Sequence, residues 1–134
     1  MMKVEFYLKL AADVAQDGEE PRNDNHSNKK QYLLGAVAKR TDDAVVVSTN
    51  IFTKIPHSSG HAEARVLKKA DIGCTLYVAR VTRNGKWAMS KPCENCQKLI
   101  RSRRVSKVYY TICENEFGIW YPDSDKWYHI KREK

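Results

Sequence analysis

His61, Glu63, Cys93 and Cys96 are the residues whose types and spacing can do chemistry. They stand in two short runs, His61-Ala62-Glu63 and Pro92-Cys93-Glu94-Asn95-Cys96. One imidazole and two thiolates can hold a zinc ion at three corners. The fourth corner stays open for water, which is how catalytic zinc sites differ from closed structural ones. Glu63 follows the histidine by two residues, in the same helical turn but on another azimuth. It is therefore suited to move the protons of that water and not to be a fourth ligand. Cys93 and Cys96 are three apart and share one face of a helix. A helix N-terminus favours the thiolate over the thiol.

Each piece alone has an ordinary explanation. A lone Cys-x-x-Cys is also a redox pair or half of a closed zinc site. A lone His-x-Glu on a helix is commonly an exposed polar pair. A closed site would need a fourth ligand, for which His57 is the obvious candidate, since His26 lies in a polar loop and His129 near the tail. Together, in this order and with Pro92 before the first cysteine, the pieces match the His-x-Glu and Pro-Cys-x-x-Cys signature of zinc deaminases.

The elements that must position these groups are legible in outline. Apolar residues at Val4, Leu8, Ala11, Ala12 and Ala15 predict a helix over 4–16, stopped by Gly18. Residues 17–30 are polar throughout and read as a mobile loop. Two β-branched runs, 32–38 and 44–49, flank a charged turn and predict an antiparallel hairpin. After a loop over 50–60, a helix is expected from His61 to about Ala70, closing at Gly73. A strand over 74–83 leads to a turn at Asn84-Gly85. Residues 87–90 suit a short return strand, and a helix with Pro92 in its first turn should run to about Arg103. Strands follow over 105–113 and 117–121, and 127–130 is either a last short strand or a tail on the sheet. This alternation predicts an α/β fold, a three-layer α/β/α domain spanning 1–134 with a mixed five-stranded sheet. Glu114-Asn115-Glu116 is too short to hold a helix, so the last two main strands should be antiparallel.

The 134 residues suffice for one domain with a real core. No stretch is apolar enough to cross a membrane, and the N-terminal residues lack a signal-peptide pattern. A cytoplasmic, reducing setting is the expectation, with Cys74 and Cys113 as buried free thiols. The net charge of +8, from 24 basic and 16 acidic residues, favours a polyanionic partner over a neutral one.

Over 31–121 the chain resembles the cytidine deaminase-like superfamily. The resemblance implies that His61, Cys93 and Cys96 bind Zn2+ and that Glu63 is the catalytic proton shuttle. It implies that Asn50 contacts the sugar or base and that backbone groups of Ala62 help read the base. The activity implied is hydrolytic deamination of cytosine to uracil. Many free-nucleotide members carry Thr-Leu-Glu-Pro-Cys before the first cysteine, where this chain has Met89-Ser90-Lys91-Pro92-Cys93. Lys91 puts a base where those members have an acid, which suits a nearby phosphate.

A polynucleotide substrate is therefore expected, foremost single-stranded DNA, with RNA second. Phe52, Lys91 and Trp120 are candidate substrate contacts, and Arg101, Arg103, Arg104 and Lys107 candidate nucleic-acid contacts. Trp87, Tyr121, Trp127 and Tyr128 are further stacking candidates, because single-strand binders pair basic grooves with rings. The alternative substrate is free cytidine, deoxycytidine or their monophosphates. An antiparallel final pair resembles the free-cytidine and toxin-type members, while editing-type members insert a helix and run those strands parallel. A third reading, a non-catalytic zinc-stabilised binding module, would have no need of Glu63. No membrane partner is expected, and a homo-oligomer is compatible with the composition.

Overall fold

A computed structural model describes residues 2–16, 33–49, 62–82 and 84–132. The first helix, α1 (Met2–Gln16), turns Leu8, Ala11, Ala12 and Ala15 inward. Three of these four are alanines, so the helix axis can approach the sheet closely. Gly35 completes that approach, since a Cβ there would lie 2.7 Å from the Ala15 amide nitrogen.

Gly35 belongs to β1 (Leu33–Lys39), which forms a hairpin with β2 (Val45–Thr49). Asp43 adopts φ 74° in the turn, and the Asp42 carboxylate accepts from Arg40 Nε at 3.2 Å. On its other side β1 pairs antiparallel with β3 (Thr75–Val81). Beyond β3 a tight turn uses Gly85 at φ +84°, with its N–H donating to Thr82 O at 2.8 Å. The chain returns as β4 (Trp87–Ala88). The helix α3 (Glu94–Ser102) leads to β5 (Lys107–Cys113), which lies parallel to β3. β6 (Glu116–Tyr121) and β7 (Lys126–Lys131) then add antiparallel, giving the order β2-β1-β3-β5-β6-β7 with β4 beside β3.

Strand alternation sorts the core into two layers. Ala36, Ala38, Leu76, Val78, Val108, Tyr110 and Trp120 face α3 and the short α2 (Ala62–Leu67), which contributes Val66 and Leu67. Val37, Tyr77, Ala79, Val81, Tyr109 and Phe117 face α1. The expected three layers and the antiparallel β5–β6 pair are both present.

Several expectations are corrected. Among the described residues the sheet has seven strands and not five, because the segments at 87–88 and 126–131 both pair. α2 stops at Leu67, where turns take over before Gly73. Pro92 precedes the N-cap residue Cys93 and does not sit in the first helical turn. Cys74 is buried as expected, but Cys113 is exposed, because the register shifts between Thr111 and Cys113 at the end of β5. The loops over 17–30 and 50–60 lie outside the described residues.

The two outer strands are treated differently. The Arg40 N–H bonds Ala44 O at 2.7 Å, which sets the phase of the β1–β2 ladder and turns the carbonyls of Val47 and Thr49 outward. Side chains of α2 and the turn after it take them, Lys69 Nζ donating to Val47 O at 2.7 Å and Arg65 Nη1 to Thr49 O. Among the described residues, β7 has no such cover on its outer edge. Among the same residues, no helix is long and apolar enough to cross a membrane.

Candidate active site

Glu63 lies in the first turn of α2 and is 3% exposed. Among the described residues its Oε1 has no hydrogen-bond partner, and a buried oxygen is costly to leave without one. Burial pushes its carboxyl above the ordinary range, and the Cys96 thiol, which donates to it, partly offsets this. Cys96 is itself buried on α3, and burial, then the charge of Glu63, hold its thiol far above the usual value. The same thiol also reaches Cys93. Glu63, Cys96 and Cys93 therefore converge, from helices on the same face of the sheet.

Cys93 is the N-cap of α3, with φ −73° and ψ 167° and no side-chain capping bond. Its thiol is exposed and is not consumed in satisfying the helix end. The segment that delivers it is fixed by a buried hydroxyl pair that spacing alone did not reveal. Ser90 Oγ lies 3.0 Å from Val78 O and accepts from the Thr111 N–H at 2.8 Å. Thr111 Oγ1 donates to Ala88 O at 2.7 Å and accepts from the Arg80 N–H at 3.1 Å. Gln97 Nε2 then donates to Pro92 O at 2.8 Å, tying the approach to the helix itself.

Solved structures share the fold. A cytidine deaminase from Burkholderia pseudomallei superposes with a TM-score of 0.67 over 90% of this chain and 93% of its own, at 16% identity. Cytidine deaminases from Mycobacterium leprae and Mycobacterium tuberculosis superpose at 0.55 and 0.51, with 15% and 17% identity. Each covers 82% of this chain, and 92% and 89% of its own length respectively. No protein-family model and no curated protein matches. The fold is that of the cytidine deaminases.

Within this cytidine deaminase fold, the described residues fit a zinc ion. Two soft sulfur donors meet at a helix N-terminus, beside a buried carboxylate oxygen with no partner. A cation would also stabilise the Cys96 thiolate that burial alone opposes. His61, Asn50 and Phe52 lie outside the described residues, and among those described no group of three ligating side chains is complete. Ala62 is fully buried at the start of α2.

The remaining candidates are dispersed. Lys91 is exposed, with Nζ 4.5 Å over the Trp127 ring. Trp120 is fully buried, stacked on Trp127 at 4.7 Å and 10°, with Nε1 donating to Asp125 at 3.1 Å. Its ring presents no open face. Arg101 pairs with Asp125 at 2.9 Å, and Arg103 turns inward to Leu67 O. Lys107 lies beside Tyr109, 5.8 Å from its ring and on the α1 side of the sheet. Arg104 lines a cleft of about 700 Å³ with Arg101, Ser106 and Asp123. That cleft sits at the far end of α3, roughly 13 Å along the helix from the cysteines.

Proposed function

We propose that this chain is a zinc-dependent hydrolytic deaminase that converts cytosine to uracil within a polynucleotide. The observation that carries the reading is the buried, unpartnered Oε1 of Glu63 beside Cys96. A buried carboxylate oxygen without a partner among the described residues is where a ligand is to be sought.

His61, Cys93 and Cys96 would hold the metal, which when bound supplies Lewis acidity that makes water a nucleophile at neutral pH. Glu63 takes a proton from the attacking water and delivers it to the ring nitrogen. The water oxygen bonds to the carbon bearing the exocyclic amine. As the C–N bond breaks, Glu63 takes the proton of the new hydroxyl and gives it to the departing amine, leaving a carbonyl, so that cytosine and water become uracil and ammonia. Burial suits Glu63 to this task, because a raised carboxyl gives and takes protons nearer to neutral pH. The backbone of Ala62, one residue away, would meet the base.

The polynucleotide assignment is supported by the net charge of +8 and by Lys91 two residues before Cys93. A second reading, deamination of free cytidine or its monophosphates, is supported by the structural neighbours, which are named cytidine deaminases, and by the antiparallel β5–β6 pair. Incubating the zinc-loaded protein with single-stranded DNA, duplex DNA, RNA and free nucleosides, followed by mass spectrometry for uracil, separates the two. Uracil in oligonucleotides, with yield falling steeply with salt, supports the first. Turnover of free nucleosides alone replaces it with the second.

A further inference from the structure

Lys91 and Trp127 form a unit that lies outside the zinc chemistry. Trp127 is held rigidly from below and from the side. Trp120 stacks beneath it at 4.7 Å and 10°, and the Tyr110 ring meets its edge at 5.8 Å and 74°. The lower ring is itself anchored through Asp125, which Arg101 holds at 2.9 Å. Trp127 is only half-buried, and Lys91 Nζ covers it at 4.5 Å. Among the described residues no carboxylate pairs with Lys91.

The backbone on both sides of this lysine is pinned. Ser90, one residue before it, is pinned to Val78 and Thr111, and Pro92, one residue after it, accepts from Gln97. Cys93 follows two residues on, so the Cα atoms of Lys91 and Cys93 lie at most about 7 Å apart. An exposed ammonium thus rests on a braced aromatic face beside the segment that carries Cys93. An exposed cation–π contact is weak enough to give up for a phosphate. Doing so bares the ring face, which then accepts a base by stacking.

We propose that Trp127 is a stacking platform for a nucleotide next to the target cytosine, and that Lys91 leaves that ring to hold its phosphate. The proposal rests on the polynucleotide reading above.

The test uses zinc-loaded protein carrying Glu63→Gln, so that binding is read without turnover. A short fluorescein-labelled single-stranded oligodeoxynucleotide with one cytosine, and its RNA counterpart, are titrated by anisotropy between about 50 and 200 mM salt. Adding Lys91→Gln is expected to weaken binding and to reduce the slope of log K against log salt by about 0.7, one phosphate contact on a single strand. Adding Trp127→Leu is expected to cost about five- to one-hundred-fold at every salt concentration without changing the slope. Trp127→Phe keeps a ring in the core and should fall between, which guards against a folding defect in the leucine variant. An unchanged slope for Lys91→Gln, or parental affinity in both Trp127 variants, overturns the platform while the polynucleotide reading stands. If the parent binds neither oligonucleotide, both fall together.

Discussion

Replacing Ser90 by alanine should loosen the cysteine helix more than its single lost oxygen implies. Past Tyr110, where the β3–β5 pairing ends, the Thr111 N–H donates to Ser90 Oγ at 2.8 Å. Ser90 is 4% exposed and Thr111 fully buried, so no water replaces that acceptor readily. An orphaned buried N–H costs about 1–3 kcal/mol, and loss of the hydroxyl's own donated bond to Val78 or Thr111 carbonyl adds about 1. The sum is about 2–4 kcal/mol, or a fall in Tm of roughly 8–15 °C for a chain of this size. Urea and thermal unfolding of Ser90→Ala measure it directly. Because Ser90 stands three residues before Cys93, zinc affinity, read by competition with a chromophoric chelator, should fall as well. A stability loss under about 1 kcal/mol, or unaltered zinc affinity, would refute the reasoning that this hydroxyl pair positions the ligand loop.

Other consequences are as direct. Glu63→Gln preserves shape and should keep fold and zinc while turnover falls by about 10²- to 10⁴-fold, as for loss of a general acid–base group; a variant with near-parental turnover removes Glu63 from the mechanism. Stripping the metal with a chelator should lower Tm and restore reactivity of the Cys93 and Cys96 thiols toward a thiol reagent, with zinc reversing both. Gly35→Ala should push α1 off the sheet at a cost of about 1–3 kcal/mol or more, measured by urea denaturation, because the new Cβ meets helix backbone and not a side chain that can swing away. The Thr41 hydroxyl bonds the Asp71 carboxylate and holds it below its usual range. A depressed folded pKa adds stability above the unfolded value of about 4 and loses it as pH falls below that. Asp71→Asn should therefore make unfolding less steeply dependent on pH on the acid side, by melts between pH 2 and 5 compared with the parent.

How far the sequence could be read follows from what kind of interaction decided each part. The closeness of Cys93 to Cys96 and the antiparallel β5–β6 pair were legible because each is local: a fixed residue spacing in one case, a turn of three residues in the other. β7 was ambiguous because Lys126, His129 and Lys131 leave it polar on both faces. It is a strand through its pairing with β6 and through Trp127 lying flat on Trp120, neither of which has a sequence period. Trp120 was expected at the substrate, yet it is in the core, because Asp125 reaches back to satisfy its indole N–H. Arg103 shows the converse. It sits in a basic run that reads as one surface, but its guanidinium is spent on Leu67 O, and the run is divided between two faces of the sheet. The Ser90–Thr111 pair left no signal, since a lone serine and a lone strand threonine are both commonplace, and they meet only where the β3–β5 pairing gives out.

The unequal treatment of the outer strands limits how copies of this protein can associate. Arg65 and Lys69 occupy the outward carbonyls of β2, so that edge cannot template another strand without first losing two charged donors. β7 carries no such guard among the described residues. Two chains joined through β7 would form one continuous sheet bounded on both sides by the blocked β2 edge. Edge-to-edge growth would then be self-terminating at a pair, so an unprotected strand here leads to a closed count of two and not to an open-ended fibre.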